Sequence, residues 1–235
     1  MKIKYTLLLL SVFLFLGCQH TKQPIDGFTV KGDINGLGNS KILIIKFVDN
    51  GMELDSIFPE NDSFTYSGKV KEPYFIQMLV STSDSTTNKL TEFMIENSEI
   101  SVTGNTVDYD SVKVSGSKSD RILKEYFKED ESLNARWNEL KLEYDQAVAS
   151  NDSVQRKTLA KELNKIFKVD RVGLLKKYVA DHANTTVGAL IPAFCTIEDA
   201  LTTEDYREIY NMLSDSIKIS GYGQNILEKF SAESE

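Results

Sequence analysis

The sequence predicts an α+β protein: an N-terminal antiparallel β-sandwich or half-barrel followed by a C-terminal helical domain. Three observations predict it. From Phe28 to about Ser117, short runs rich in β-branched and aromatic residues are separated by turn material. From Lys118 onward, apolar residues recur at helical spacing. Ahead of both lies a single apolar run, Leu7–Leu16, interrupted only by Ser11 and preceded by Lys2 and Lys4.

That first run is shorter than the roughly 20 residues a helix needs to span a bilayer. A positive start followed by a short apolar core has the pattern of a secretory signal peptide, residues 1–17. Ordinary cleavage wants a small residue at −3, and Phe15 is not one. Gly17–Cys18 instead resembles the lipobox of bacterial lipoproteins, so Cys18 is the expected lipid attachment site. Each buried methylene of an acyl chain contributes about 0.8 kcal/mol, so several chains hold firmly where one holds weakly. Residues 18–27 (CQHTKQPIDG) then read as a lipidated tether. Gln19 is not the Asp that retains lipoproteins in some inner membranes, and QHTKQ lacks an acidic export run. The expected address is the bacterial cell envelope, on the outer membrane facing the periplasm.

The β-rich domain, residues 28–117, holds the runs FTVKGDI, KILIIKFV, MELDSIF, SFTYSGKV, YFIQMLV, LTEFMIE, ISVTG and SVKVSG. Phe64, Tyr66, Gly68 and Val70 alternate with Thr65, Ser67 and Lys69, giving one dry and one wet face. Pro59 and Pro73 fall at strand ends, where a missing N–H does no harm. In the helical domain, residues 118–235, Leu133, Trp137, Leu140, Tyr144 and Ala147 form one stripe. Ser150–Ser153 breaks it, and Asp152 with Gln155 suggests a capping box that starts the next helix. That helix carries Leu159, Leu163, Ile166 and Phe167 on one side. Val172, Leu175, Val179 and His182 form a second stripe on the other, so the helix should be buried on two sides. Shorter helices are expected near Val187–Cys195, Thr203–Ile217 and Tyr222–Phe230.

Composition removes several functional classes. The net charge is −8, and losing Lys2 and Lys4 with a signal peptide makes it more negative. A nucleic-acid partner, which demands a basic footprint, is therefore not expected. With Cys18 acylated only Cys195 remains, so no intramolecular disulfide can form. Of the two histidines, His20 lies in the tether and His182 on an apolar stripe, where a core role outweighs a catalytic one. A metal site would need more converging His, Cys or carboxylate ligands than these. Cys195, in LIPAFCTI, reads as a buried thiol with a raised pKa. Gly32, Gly36 and Gly38 of GDINGLGN are followed by a strand rather than by a helix with Lys-Ser/Thr, so they mark a turn and no phosphate loop. No cofactor is expected. Lys157, Lys161, Lys165 and Lys168 share one helical stripe. They read as a solvated face, partly neutralised by acids of the preceding helix such as Glu125, Asp130, Glu139 and Asp145.

Phe28-x-Val30-x-Gly32-x-Ile34, Leu54-Asp55-Ser56-Ile57, Ser63-Phe64-x-Tyr66-x-Gly68-x-Val70 and Glu72-Pro73 together resemble an uncharacterised β-rich domain. In that family the domain precedes a thioredoxin-like domain in envelope lipoproteins of Gram-negative bacteria. Val114-x-Gly116-Ser117, His182-x-Asn184-Thr185 and Gly221-Tyr222-Gly223 are similar to the helical connector of those proteins, with Ala183 where they often have Pro. The resemblance implies an accessory position beside thiol–disulfide oxidoreductase chemistry. No Cys-x-x-Cys occurs in these 235 residues, so the redox function has no residue here to be carried onto. The expectation is a lipid-anchored, non-catalytic interaction module with a protein partner in the envelope, accessory to a separate oxidoreductase. The alternative is a lipoprotein that binds or senses a small molecule or glycan through the β-domain. Replacing Cys18 by Ser should abolish palmitate incorporation and release the protein from membranes or leave an uncleaved precursor. Label that survives Cys18→Ser would remove the anchor assignment.

Overall fold

The computed structural model describes residues 26–48, 51–81 and 86–231. Eight strands come first: β1 (Phe28–Asn35), β2 (Ile42–Val48), β3 (Gly51–Ile57), β4 (Ser63–Gly68), β5 (Tyr74–Ser81), β6 (Thr87–Ile95), β7 (Glu99–Asn105) and β8 (Lys113–Ser115). They build two four-stranded sheets in the orders β4-β1-β7-β8 and β3-β2-β5-β6. Val30, Ile34, Ile100 and Val102 of the first sheet share one core with Ile42, Ile44, Ile76, Met78 and Phe93 of the second. Each strand contributes alternate residues because its side chains point to opposite faces.

The sandwich is not wholly antiparallel. β1 and β7 run parallel, with Val30 opposite Ile100 and Gly32 opposite Val102. A hairpin partner would have to begin at the far end of β1. β7 instead follows a short crossing from the other sheet and begins beside the start of β1, where the Thr29 N–H donates to the Ser98 carbonyl. Asn97, in that crossing, accepts from the Val70 N–H and donates to the Val70 carbonyl, so one amide holds the crossing to the end of β4. Two of the three GDINGLGN glycines form a turn: Gly36 and Gly38 have φ of 83° and 60°, and Leu37 between them is tucked into the core. Gly32 instead lies within β1, where the Phe64 ring of β4 occupies the space of a Cβ.

Among the described residues seven α-helices follow: α1 (Lys118–Ala149), α2 (Ser153–Lys165), α3 (Arg171–Asp181), α4 (Thr186–Phe194), α5 (Thr203–Met212), α6 (Asp215–Lys218) and α7 (Gly221–Ser231). Asp152 caps α2 by accepting from the Val154 and Gln155 N–H groups. Between α2 and α3 the helix runs through one π turn, Ile166–Asp170, closed by the Arg171 N–H on the Ile166 carbonyl. An extra residue in a turn shifts the phase of all that follows by about 100°. This shift carries the apolar stripe from one side of the helix to the other. Leu159, Leu163 and Ile166 face the distal half of α1, where Trp137, Leu140 and Tyr144 are half-buried. Val172, Leu175 and Val179 join a second core with Ile122, Leu123 and Tyr126 of α1, Leu190 and Ile191 of α4, Ile209 of α5 and Ile226 of α7.

Sheet and helices meet at the end of β6. Phe93 and Ile95 point into the sandwich, while Met94 points the other way into the helical core. Glu96 accepts from the Lys118 and Ser119 N–H groups and from the Ser119 hydroxyl, so its carboxylate lies on the positive end of α1. Ser117 caps the same helix through the Asp120 N–H, and the Asp120 carboxylate accepts from the Met94 N–H at 3.2 Å. Burial pushes the Asp120 carboxyl above its usual range, opposed by the Lys124 ammonium 2.8 Å away. Gly116, just before the cap, has φ of 101°, and a Cβ there would lie 2.0 Å from the Glu99 carbonyl oxygen. Only glycine fits.

Leu175 is fully buried, so Leu175→Ala should destabilise the protein by about 2–5 kcal/mol through lost contacts and a cavity. Lys161→Asp, on an exposed position, should shift stability by no more than about 0.5 kcal/mol. Thermal melts followed by circular dichroism compare the two. A Leu175→Ala protein that melts like the wild type would show that the second stripe carries no packing.

Candidate functional site

The most unusual surface of the molecule is the outer face of the β3-β2-β5-β6 sheet. Since Ile42 and Ile44 point inward, Leu43, Ile45 and Phe47 point outward. The antiparallel register sets Phe47 opposite Met52 and Phe75, Ile45 opposite Leu54 and Gln77, and Leu43 opposite Ser56 and Leu79. The helical half covers one end of this face, where the Phe75 ring stacks against Phe194 at 5.1 Å and Met94 enters the helical core. Toward β6 the face becomes polar, with Gln77 bonded to Glu92 and Lys89 paired to Glu92. Leu43, Ile45, Phe47, Met52, Leu54 and Leu79 remain as a contiguous apolar area. Met52 and Leu54 are 71% and 77% exposed, and Phe58, just beyond β3, is 71% exposed. A contiguous apolar patch on a protein surface marks an interaction site more often than a scatter of single residues does.

β3 is also an edge. It pairs on one side only, with β2. The N–H and C=O groups on its other side offer a template for an added strand. The inner side of the same edge is polar and firmly held. Lys46 lies 3.4 Å from Asp55 and 3.9 Å from Glu53, and the Tyr66 hydroxyl donates to Asp55. The Ser56 N–H bonded to Asp55 is the main reason its carboxyl sits below the usual range, with Lys46 and Tyr66 adding to it. Burial, reinforced by Asp55, pushes the Tyr66 phenol upward. Tyr66 belongs to β4 of the other sheet, so this contact closes the sandwich at the rim and fixes β3 in place.

Cys18 and residues 19–25 of the tether lie outside the described residues; its last two residues are described, and Asp26 pairs with Lys69 just after β4. His182 is not a core residue: it ends α3 in a non-helical conformation, half-buried, with its ring 6.2 Å from that of Tyr178. Cys195 is half-buried, its thiol donates to the Pro192 carbonyl, and burial pushes its pKa up. Lys157, Lys161, Lys165 and Lys168 are all exposed, in keeping with a solvated face. Three of the acids expected to neutralise them are engaged elsewhere: Glu125 with Arg121, Asp145 with Lys141 and Asp130 with Arg171. Lys165 pairs instead with Asp170 in its own π turn, which brings the two within reach. Among the described residues, no group of three or more His, Cys, Asp or Glu could hold a metal ion, and no helix is long and apolar enough to cross a membrane.

Sequence patterning did not reveal the Asp130–Arg171 pair. Both are almost fully buried, with Arg171 donating from Nε and Nη2 to the two carboxylate oxygens at 2.7 and 2.6 Å. One signal was present: Arg171 stands next to Val172 at the head of an apolar stripe, where a lone cation has to find a partner. The exposure of Met52 and Leu54 had no signal, because strict alternation looks the same whether the apolar side is covered or bare.

These features define a two-sheet β-domain with a helical half docked on one end of its outer face and an apolar edge left open. Residues 28–123 match the family model of a domain of unknown function, DUF4369. The match runs past β8 into the first turns of α1, so Glu96, Ser117 and Asp120 all lie within it. No curated protein sequence matches the chain.

Only a thiolate is nucleophilic, and an ordinary cysteine is half ionised near about pH 8.5. With the pKa of Cys195 raised, its alkylation by iodoacetamide should still be accelerating above that pH and should speed up further in denaturant. Mass spectrometry of quenched samples gives the rates. A plateau at or below pH 8.5 would mean an activated thiol.

Proposed function

We propose that the protein is a lipid-anchored component of the bacterial cell envelope that acts by docking another protein, without a catalytic centre of its own. The observation that supports this reading best is the bare apolar edge of the second sheet, Met52 and Leu54 on a strand paired on one side only. An extended segment of a partner could add to β3 as a further strand, its backbone giving affinity and its alternate side chains giving specificity. Apolar side chains would meet Met52 and Leu54, and basic ones would face Glu53 and Asp55. The anchor rests on the Gly17–Cys18 pattern. A role beside a separate thiol–disulfide oxidoreductase rests on the family resemblance. It is compatible with half-buried Cys195, the one free cysteine among the described residues, which has no second thiol there for exchange within one site.

A ligand held within the β-domain has less support. The inner faces of the two sheets are packed on each other through side chains that are fully buried, among them Val30, Ile34, Ile44, Ile76 and Phe93.

Photocrosslinking in cells separates the readings. With a benzophenone amino acid at Leu54, irradiation should give a discrete adduct, and the same probe at exposed Lys31 on the other sheet should give none. Adding Glu53→Lys should reduce the adduct at 54 by changing the charge of the edge, while the Asp55 contacts to Lys46 and Tyr66 that hold β3 stay in place. Equal labelling at 54 and 31, or none at 54, would sink the docking proposal.

A further inference from the structure

A second surface, remote from the β3 edge, has the make-up of a ligand site. Between α1 and the π turn lies a cleft of about 480 Å³ lined by Phe127, Trp137 and Phe167 together with Asp130, Asn134 and Arg171. It continues along the α1–α2 seam into a shallower groove that shares Trp137 and Phe167 and adds Tyr144 and Leu163. Its polar floor is rigid. Asp130 holds the Arg171 guanidinium by two hydrogen bonds, and the Thr196 hydroxyl, within 2.5 Å of Nη2, also donates to Asp130. Phe167 lies under the guanidinium, its ring 5.9 Å away. The Asn134 amide oxygen is 3.5 Å from Arg171 Nη1, a weak contact that leaves the amide available to a ligand.

A pair of buried charges is weak evidence for stability, because desolvating both ions offsets most of their attraction. Its presence at the bottom of a cleft needs a further reason, and the cleft composition supplies one. Half-buried aromatic rings lining the cleft beside fixed planar donors and acceptors suit a molecule that is apolar on one face and rich in hydroxyls at its edge. An anion would meet Asp130 and the rim carboxylate of Glu131 against a single guanidinium already engaged. A purely apolar ligand would cover the Asn134 amide and Arg171 Nη1, joined only by a 3.5 Å contact, without offering either a partner. We propose that this cleft binds a neutral carbohydrate, a sugar ring stacking on Trp137 and its hydroxyls bonding to Asn134 and the Asp130–Arg171 pair. The groove toward Tyr144 gives room for further rings, so an oligosaccharide fits better than a monosaccharide. The proposal does not depend on the docking role of β3.

Trp137 is the single tryptophan in the chain, so intrinsic fluorescence reports the site directly. The purified protein is titrated with cellotriose, maltotriose, xylotriose and triacetylchitotriose, with trigalacturonic acid as the anionic comparison. At least one neutral trisaccharide should change Trp137 emission saturably, with the same affinity by calorimetry. Asn134→Ala, on a half-buried side chain, should weaken that binding about tenfold, the loss of a hydrogen bond. Its melting temperature should remain that of the wild type. Lys31→Ala, on an exposed position of β1 outside the cleft, should keep both fold and binding. No response to any neutral trisaccharide, binding only of the acidic one, or binding that Asn134→Ala leaves unchanged would each overturn the proposal.

Discussion

The molecule depends on one junction, the few residues at the end of β6 and the start of α1. Glu96 neutralises the unsatisfied N–H groups of a 32-residue helix, and Asp120 of that helix takes the Met94 N–H in return. Each side thus supplies a polar group that the other would leave unpaired. Met94 adds the apolar part of the same contact. Because Phe93 and Ile95 serve the sandwich core while Met94 serves the helical one, β6 is dry on both sides at its end. It is the seam through which two cores become one body. This is also why the helices cover the Phe75–Met94 end of the outer face and no more of it.

The Asp130–Arg171 pair has a different place in the energetics. Burying two ions contributes little net stability, yet breaking the pair would strand a cation that is 4% exposed. It fixes the π turn against α1, since Arg171 closes that turn through its backbone and meets α1 through its side chain. Tyr126, one turn before Asp130 on α1, is fully buried with no hydrogen-bond partner for its hydroxyl.

Periodicity carried most of the architecture. All eight strands and the stripe Leu133–Ala147 were legible because a half-buried strand and an amphipathic helix each impose their own spacing. The change of face between Ile166 and Val172 was visible too, but not its cause, since a π turn has no residue signature of its own. The parallel β1–β7 pair was hidden, because pairing between distant strands depends on where the chain crosses, and nothing in FTVKGDI or ISVTG encodes direction. The Asp120 bond to Met94 spans 26 residues and lies beyond any local rule. The candidate site was the least legible. Met52 and Leu54 look like core residues in the alternation, and only the strand order shows that nothing packs on them.

The parallel pairing has a consequence in time. β1 is central in its sheet, yet β7 is separated from it by about seventy residues; Thr106, at the end of β7, bonds Asn35 from 71 positions away. A contact of that span waits for the intervening chain. At synthesis rates of roughly 5–20 residues per second, β1 would stand without its main neighbour for about 4–14 s. During that interval β2, β3 and β5 can already form a local meander, with Met52, Leu54, Phe47 and Phe75 bare on one side and the future core bare on the other. Export as an unfolded chain would move the same interval to the far side of the membrane. The nascent β-half is thus most exposed to self-association before β7 arrives, and a holding chaperone would have its clearest task in that window.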